Sequence, residues 1–198
     1  MAKVKICGLS RIEDIECVNA VRPEYVGFVF APSRRQVTVE QAGVLASLLH
    51  PDIIPVGVFV DESIERILEI VEQGIIEAVQ LHGHEDEAYV GHLRRRMNHV
   101  ILKAVSVNDG EDLHGQTSAD YLLVDHGSGG TGVPFDWSVL KGLHTAYFLA
   151  GGLSAYNIDD ALGATSPFAV DVSSGVETNG VKDPEKIREF IRKVRQWN

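Results

Sequence analysis

Cysteine is scarce: Cys7 and Cys17 are the two in 198 residues. They are too few for a disulfide framework or a four-thiolate zinc site. No stretch approaches the roughly 20 apolar residues of a membrane span. The opening Met1-Ala2-Lys3-Val4-Lys5 leads into too few apolar residues for a signal peptide. No membrane partner is therefore expected, and the cytoplasm is the expected compartment. Positive charge is in deficit, with 18 Lys and Arg against 28 Asp and Glu and a net charge of −10. That balance argues against a nucleic-acid partner. An anionic ligand would have to be met locally, by a few Arg or Lys side chains or by helix N-termini. Linkers, low-complexity tracts and breaks in composition are also lacking, so residues 1–198 read as one domain. A chain of this size buries roughly 70% of its unfolded surface and needs no staple.

What the sequence does have is alternation. Short apolar runs occur at Val4–Cys7, Tyr25–Phe30, Ile53–Val60, Ala78–His82, Val100–Val105, Tyr121–Asp125, Ala146–Ala150 and Ala169–Ser173. They are rich in Val, Ile and Phe and are the length of strands buried on both faces. Amphipathic stretches lie between them. Ile64, Ile67, Leu68 and Val71 follow helical spacing, as do Ile187, Phe190, Ile191 and Val194. Ser10-Arg11-Ile12-Glu13 and Thr38-Val39-Glu40-Gln41 read as capping boxes, and Asp183-Pro184 as a capped helix start. The helices after Ser106 and Phe135 are the weakest. Eight strand–helix units in this length predict an α/β fold, a (βα)8 TIM barrel of minimal length. The rival is an open doubly wound sheet. Its G-x-G-x-x-G fingerprint is missing from the first strand–helix turn, Cys7-Gly8-Leu9-Ser10.

In a barrel the chemistry sits at the C-terminal ends of the strands. Strand parity puts Lys5 with Cys7, Gln80 with His82, and Asp171 with Ser173 on the inner face, with Asp125 closing the sixth strand and Lys103 within the fifth. Polar groups there are costly unless paired or used. Cys7 fits either a small buried hydrophobe or a reactive thiol; Cys17 fits a helix core. His82-Gly83-His84 superficially resembles a metal pair, but Gly83 should end the strand and turn His84 away, so no metal is expected. His126 should point opposite to Asp125. Gly151-Gly152 after the seventh strand and Ser173-Ser174-Gly175 after the eighth are small enough for backbone N–H groups to reach a phosphate. Arg34-Arg35, after the second strand, is suited to hold a carboxylate with two hydrogen bonds. The Gly-rich stretch 127–134 is expected to be a loop over the site.

Six segments occur here in order: Lys5-Ile6-Cys7-Gly8-Leu9, Gln80-Leu81-His82-Gly83, Leu123-Val124-Asp125, Gly129-Gly130-Thr131-Gly132 with Phe135-Asp136-Trp137, Ala150-Gly151-Gly152-Leu153, and Asp171-Val172-Ser173-Ser174-Gly175-Val176-Glu177. Together, from Val4 to the last helix, the chain resembles phosphoribosylanthranilate isomerase of tryptophan biosynthesis. The resemblance implies an eight-stranded barrel and an Amadori rearrangement of a phosphosugar, run without cofactor or metal by a monomer or homodimer. It implies Cys7 as general base, Asp125 as general acid and Arg35 on the anthranilate carboxylate, with Arg34 as a possible sharer. Asp171 is implied to orient the reacting groups. These roles set conditions. Cys7 should have a lowered pKa, from Lys5 and the nearby first helix, and Asp125 should arrive protonated, which burial favours. A sugar-phosphate isomerase with two carboxylates lacks the thiol. An isomerase serving histidine biosynthesis as well would need an Asp at the first strand end, and a non-enzymatic phosphate sensor would need neither Cys7 nor Asp125.

Overall fold

The computed structural model describes residues 1–107, 113, 115–125, 136–140, 142–143 and 145–197. The apolar runs become eight parallel strands: β1 Lys3–Cys7, β2 Tyr25–Val29, β3 Ile54–Phe59, β4 Ala78–Leu81, β5 Val100–Ser106, β6 Tyr121–Asp125, β7 Tyr147–Leu149 and β8 Ala169–Val172. They hydrogen-bond in sequence order, and β1 pairs β8, closing the barrel. An open sheet is thereby ruled out. The helices are α1 Ile12–Val21, α2 Val39–Ser47, α3 Ile64–Glu72, α4 Glu87–Arg96, α5 Ile158–Ala164 and α6 Pro184–Gln196.

Parity sorts the side chains into two cores. Val4, Ile6, Val79, Leu81, Val170 and Val172 pack outward with the helix faces, including Ile64, Ile67, Leu68 and Val71 of α3 and Ile187, Phe190, Ile191 and Val194 of α6. Tyr25, Val56, Ala78, Leu102, Ala104, Leu123, Phe148 and Ala169 fill the barrel interior. The polar inward residues lie beyond this plug, toward the C-terminal ends of the strands.

The helix ends show which local signals were legible. Thr38 Oγ1 accepts from Gln41 N–H while Gln41 Oε1 accepts from Thr38 N–H, the reciprocal box expected. Asp183 accepts from the N–H groups of Glu185 and Lys186 ahead of Pro184 at the helix start. The first box is displaced by one residue. Arg11 caps α1, and Asp14, not Glu13, accepts from the N–H groups of Ser10 and Arg11. Asp14 is buried where Glu13 is exposed, so only Asp14 can turn back onto the chain. Between β6 and β7 the described residues carry one 3-10 turn, Trp137–Leu140.

One short element has no counterpart in the apolar runs. After β8, a 3-10 turn over Ser174–Val176 leads into an antiparallel hairpin, β9 Glu177–Thr178 and β10 Val181–Lys182. Asn179 and Gly180 make its two-residue turn with φ of 53° and 80°. Asn-Gly is the favoured pair for such a turn, so the hairpin is written in the sequence once the flanking residues are known to pair.

Candidate active site

At the C-terminal ends of the strands, Lys5, Cys7, Gln80, His82, Asp125, Asp171 and Ser173 share the inner parity. Lys103 does not. It shares parity with Ile101 and Val105, which pack among the helices, and its Nζ donates to Gly83 O at 2.7 Å and to the buried Glu85 at 3.1 Å. The expectation that Lys103 points inward is corrected: a long side chain on the outer face reaches over the strand end and braces the turn after β4. Glu85 takes the N–H groups of Asp61 and Gly83 as well. That clasp fixes where His82 sits. His84 leaves the strand line and pairs with Asp61 at 3.0 Å in solvent, away from His82.

Cys7 sits on an ionic floor. Lys5 is 0% exposed, and its Nζ donates to Asp171 Oδ1 at 2.9 Å across the β1–β8 pairing. Burial opposes the Lys5 charge, but Asp171 and then Cys7 outweigh it and raise its pKa. Removing Asp171 would strand a buried ammonium. Asp171→Asn is expected to cost about 3–5 kcal/mol of stability, measured by urea unfolding; a loss under 1 kcal/mol would refute this structural role.

Space for the thiol comes from β2. Gly27 is the register partner of Cys7, and a Cβ there would stand 2.7 Å from Cys7 Sγ and 3.3 Å from Lys5 Nζ. In the sequence Gly27 shows only as a glycine interrupting an apolar strand, a signal that does not by itself mark a site.

The expected lowering of the Cys7 pKa is also corrected. Burial pushes the thiol up, and the opposing pull of Lys5 and Lys182 does not overcome it, with Asp171 adding to the rise. The cause is geometric. α1 begins five residues beyond Cys7, and the N–H groups of Gly8 and Leu9, the next in the chain, are turned onto Gly27 O. Lys5, the nearest cation, is already shared with Asp171.

Across the mouth, Asp125 is buried, with His82 Nε2 at 3.8 Å from its carboxylate. Gln80 Nε2 lies 2.8 Å from His82 Nδ1. Burial holds the imidazole below its ordinary pKa against the upward pull of Asp125 and Asp171, so His82 is neutral at pH 7. Gln80 meets the Nδ1 edge of the ring, which leaves the Nε2 edge facing Asp125.

The loops after β7 and β8 meet. Gly151 and Gly152 have φ of 82° and 65°, and Gly175 packs so closely on Leu153 O that it has no room for a side chain. Asn157 pins the first loop: its amide donates to Gly152 O at 2.9 Å and its oxygen accepts from Ser154 N–H at 2.8 Å. The Ser173 hydroxyl is committed elsewhere, donating to Cys7 O at 3.1 Å and lying 3.3 Å from Lys182 Nζ. Only the backbone of Ser173, with Ser174 and Gly175, is left for an anion.

Arg35 and Arg34 both reach Glu177, and so does Lys182. Neither Glu177 nor Lys182 was singled out as a site residue, because pairing across a hairpin brings them to the mouth. His126 and the Gly-rich stretch 127–134 lie outside the described residues. Among the described residues no cluster of His, Cys, Asp and Glu is arranged to hold a metal ion, and no helix is long and apolar enough to cross a membrane.

Comparison with known proteins converges on one family. The family model for N-(5'-phosphoribosyl)anthranilate isomerase matches residues 4–193. Curated N-(5'-phosphoribosyl)anthranilate isomerases from Endomicrobium trichonymphae and Thermoanaerobacter pseudethanolicus are 46% and 47% identical, each alignment covering 98% of this chain and 99% and 98% of theirs. The crystal structure of the Thermus thermophilus enzyme superposes with a TM-score of 0.90 at 32% identity, covering 99% of this chain and 100% of that one. A structure of the isomerase with reduced 1-(o-carboxyphenylamino)-1-deoxyribulose 5-phosphate has a TM-score of 0.83 at 34% identity, with coverage of 98% and 99%. A barrel with its polar residues at the expected strand ends, and near-complete coverage by these relatives, establish that this chain belongs to the N-(5'-phosphoribosyl)anthranilate isomerases, enzymes of tryptophan biosynthesis.

Proposed function

We propose that this chain converts N-(5-phosphoribosyl)anthranilate to 1-(2-carboxyphenylamino)-1-deoxyribulose 5-phosphate with Cys7 as general base and Asp125 as general acid. The single observation that carries this assignment is that both are buried, inward-facing residues that close β1 and β6 at the same end of one closed barrel. Asp125 gives a proton to the ribose ring oxygen. The C1–O bond breaks as the nitrogen lone pair forms a C1=N bond, giving an open-chain iminium. The Cys7 thiolate takes the C2 proton, and the electron pair neutralises the iminium as an enolamine. C1 then gains a proton, the C2 hydroxyl loses one, and the ketone results. The steps are proton transfers within one carbon skeleton, so acid and base suffice and the reaction calls for no cofactor or metal. His82, with Nε2 toward Asp125, and Gln80 behind it, line the acid's side; Lys5 and Asp171 line the base's side.

The phosphate is assigned to the backbone of Gly151, Gly152, Ser173, Ser174 and Gly175, where two loops without bulky side chains converge. The anthranilate carboxylate is assigned to Arg35. Arg34, 56% exposed and bound to Glu177 from the outside, supports that arrangement without sharing the contact. The 198 residues act as one domain, as a monomer or homodimer, in the cytoplasm. Each assignment has a test. Arg35→Met is expected to raise KM about 10–100-fold with kcat changed far less, because a charged hydrogen bond is worth about 1.5–3 kcal/mol and is made in ground and transition state alike. A fall in kcat at constant KM would overturn the clamp. Inorganic phosphate should compete with substrate in wild type and in Arg35→Met alike; competition lost with Arg35 would reverse the assignment of the two substrate ends.

A further inference from the structure

Glu177 is the hub of a buried charge cluster outside the reacting pair. Its side chain is 4% exposed, and both oxygens are fully engaged. Oε1 accepts from Lys182 Nζ at 2.8 Å and from Arg35 Nε at 2.7 Å. Oε2 accepts from Arg35 Nη2 at 3.1 Å and from Arg34 Nη2 at 2.7 Å. The hairpin aligns Glu177 with Lys182 in register. Lys182 Nζ also donates to Ser173 O at 2.9 Å, which ties the cluster to the end of β8. Burial works against the Glu177 carboxylate, but Arg35 and Lys182 overcome it and hold its pKa below the ordinary value, so it is ionised at neutral pH. One carboxylate against three cations leaves the cluster positive, in a chain that is acidic overall.

A guanidinium offers two forks, the Nε/Nη2 side and the Nη1/Nη2 end. Glu177 occupies the side fork of Arg35. No described residue accepts from Arg35 Nη1, and the side chain is 17% exposed. An arginine that left Glu177 for a ligand would strip one partner from a buried carboxylate, a costly exchange. An arginine held by its side fork loses little further freedom when its end fork meets a ligand.

We propose that Glu177 is a positioning residue that grips Arg35 by its Nε/Nη2 side and so presents the Nη1 end to the aromatic carboxylate of the substrate. This rests on the reading of Arg35 as the carboxylate clamp. The test is Glu177→Gln, with kcat and KM for N-(5-phosphoribosyl)anthranilate. Inhibition constants are measured beside them for the reduced open-chain product analogue and for its counterpart lacking the ring carboxylate. The expected result is a rise of about tenfold in KM and in the Ki of the carboxylated analogue, with kcat little changed and the Ki of the carboxylate-free analogue unmoved. In an Arg35→Met background the Glu177 substitution should add nothing. An equal rise for both analogues, or losses that multiply in the double variant, would show general disruption and overturn the proposal. If Arg35→Met alone leaves KM unchanged, the clamp reading itself fails, by a result that does not involve Glu177. Should Glu177→Gln fail to fold, Glu177→Asp keeps the charge but draws it back by one methylene. It is expected to raise only the Ki of the carboxylated analogue, and an equal rise for both would again overturn the proposal.

Discussion

Replacing Cys7 by serine is expected to lower kcat by about 10²–10⁴-fold, the usual contribution of one acid–base group, or about 2.7–5.5 kcal/mol of barrier. Serine has nearly the same shape, and Gly27 leaves room for either side chain. A hydroxyl, however, is far less acidic than a thiol and stays protonated at neutral pH. KM should change far less, since the thiol is assigned to a proton in flight and not to ground-state binding. The structure adds a sign to the pH dependence. Burial raises the Cys7 pKa above its ordinary value, and a base works only when deprotonated. Wild-type kcat/KM, which reports the free enzyme, should therefore climb with pH, along an alkaline limb displaced above that of an ordinary thiol. The serine variant should lack that alkaline limb. A Cys7→Ser variant with near wild-type kcat would remove the thiolate from the mechanism.

Asp125→Asn is expected to lose a comparable factor, about 10²–10⁴ in kcat, for a different step. An amide keeps the shape and polarity of the strand end but has no proton to give the ring oxygen, so the sugar stays closed. The consequence separates chemistry from binding. The reduced open-chain product analogue needs no ring opening and should bind Asp125→Asn as tightly as wild type, while turnover of the closed substrate collapses. Burial keeps the imidazole of His82, whose Nε2 is 3.8 Å from the Asp125 carboxylate, below its ordinary pKa. If Asp125→Asn retained wild-type kcat, another donor would have to serve the ring oxygen. Base and acid lie on one reaction path, so the double variant Cys7→Ser/Asp125→Asn should fall short of the product of the two losses.

Much of this site is legible without coordinates, because strand patterning is local. A period of two assigns Lys5 and Cys7, Gln80 and His82, Asp171 and Ser173 to one face, and apolar neighbours such as Ile6, Leu81 and Val172 to the other. Where one residue type breaks the pattern, the reading fails. Lys103 interrupts an apolar run and invites an inward assignment, but its alternation with Leu102 and Ala104 sets it on the helix side. The run is apolar at both parities, so the packing of Leu102 and Ala104 in the barrel interior is what settles the face of Lys103.

The sequence by itself determined the eight strands, their order along the chain, the helix caps at Thr38 and Asp183, and the set of polar strand ends from which acid, base and phosphate loops are drawn. These follow from neighbouring residues, because a pleat, a cap or a turn is satisfied within a few positions. Only the tertiary structure decided which of those groups meet. The Lys5–Asp171 pair spans 166 residues and depends on the register at barrel closure. Gly27 becomes room for a thiol only because β2 lies beside β1. Glu177, held by Lys182 across the hairpin, meets Arg35 because a two-residue turn folds that hairpin back over the strand end. The direction of the Cys7 pKa belongs to the same class. A nearby lysine predicts a lowered value, but the thiol's solvation is set by everything packed around it, and burial outweighs two cations, Lys5 and Lys182, each already paired with a carboxylate.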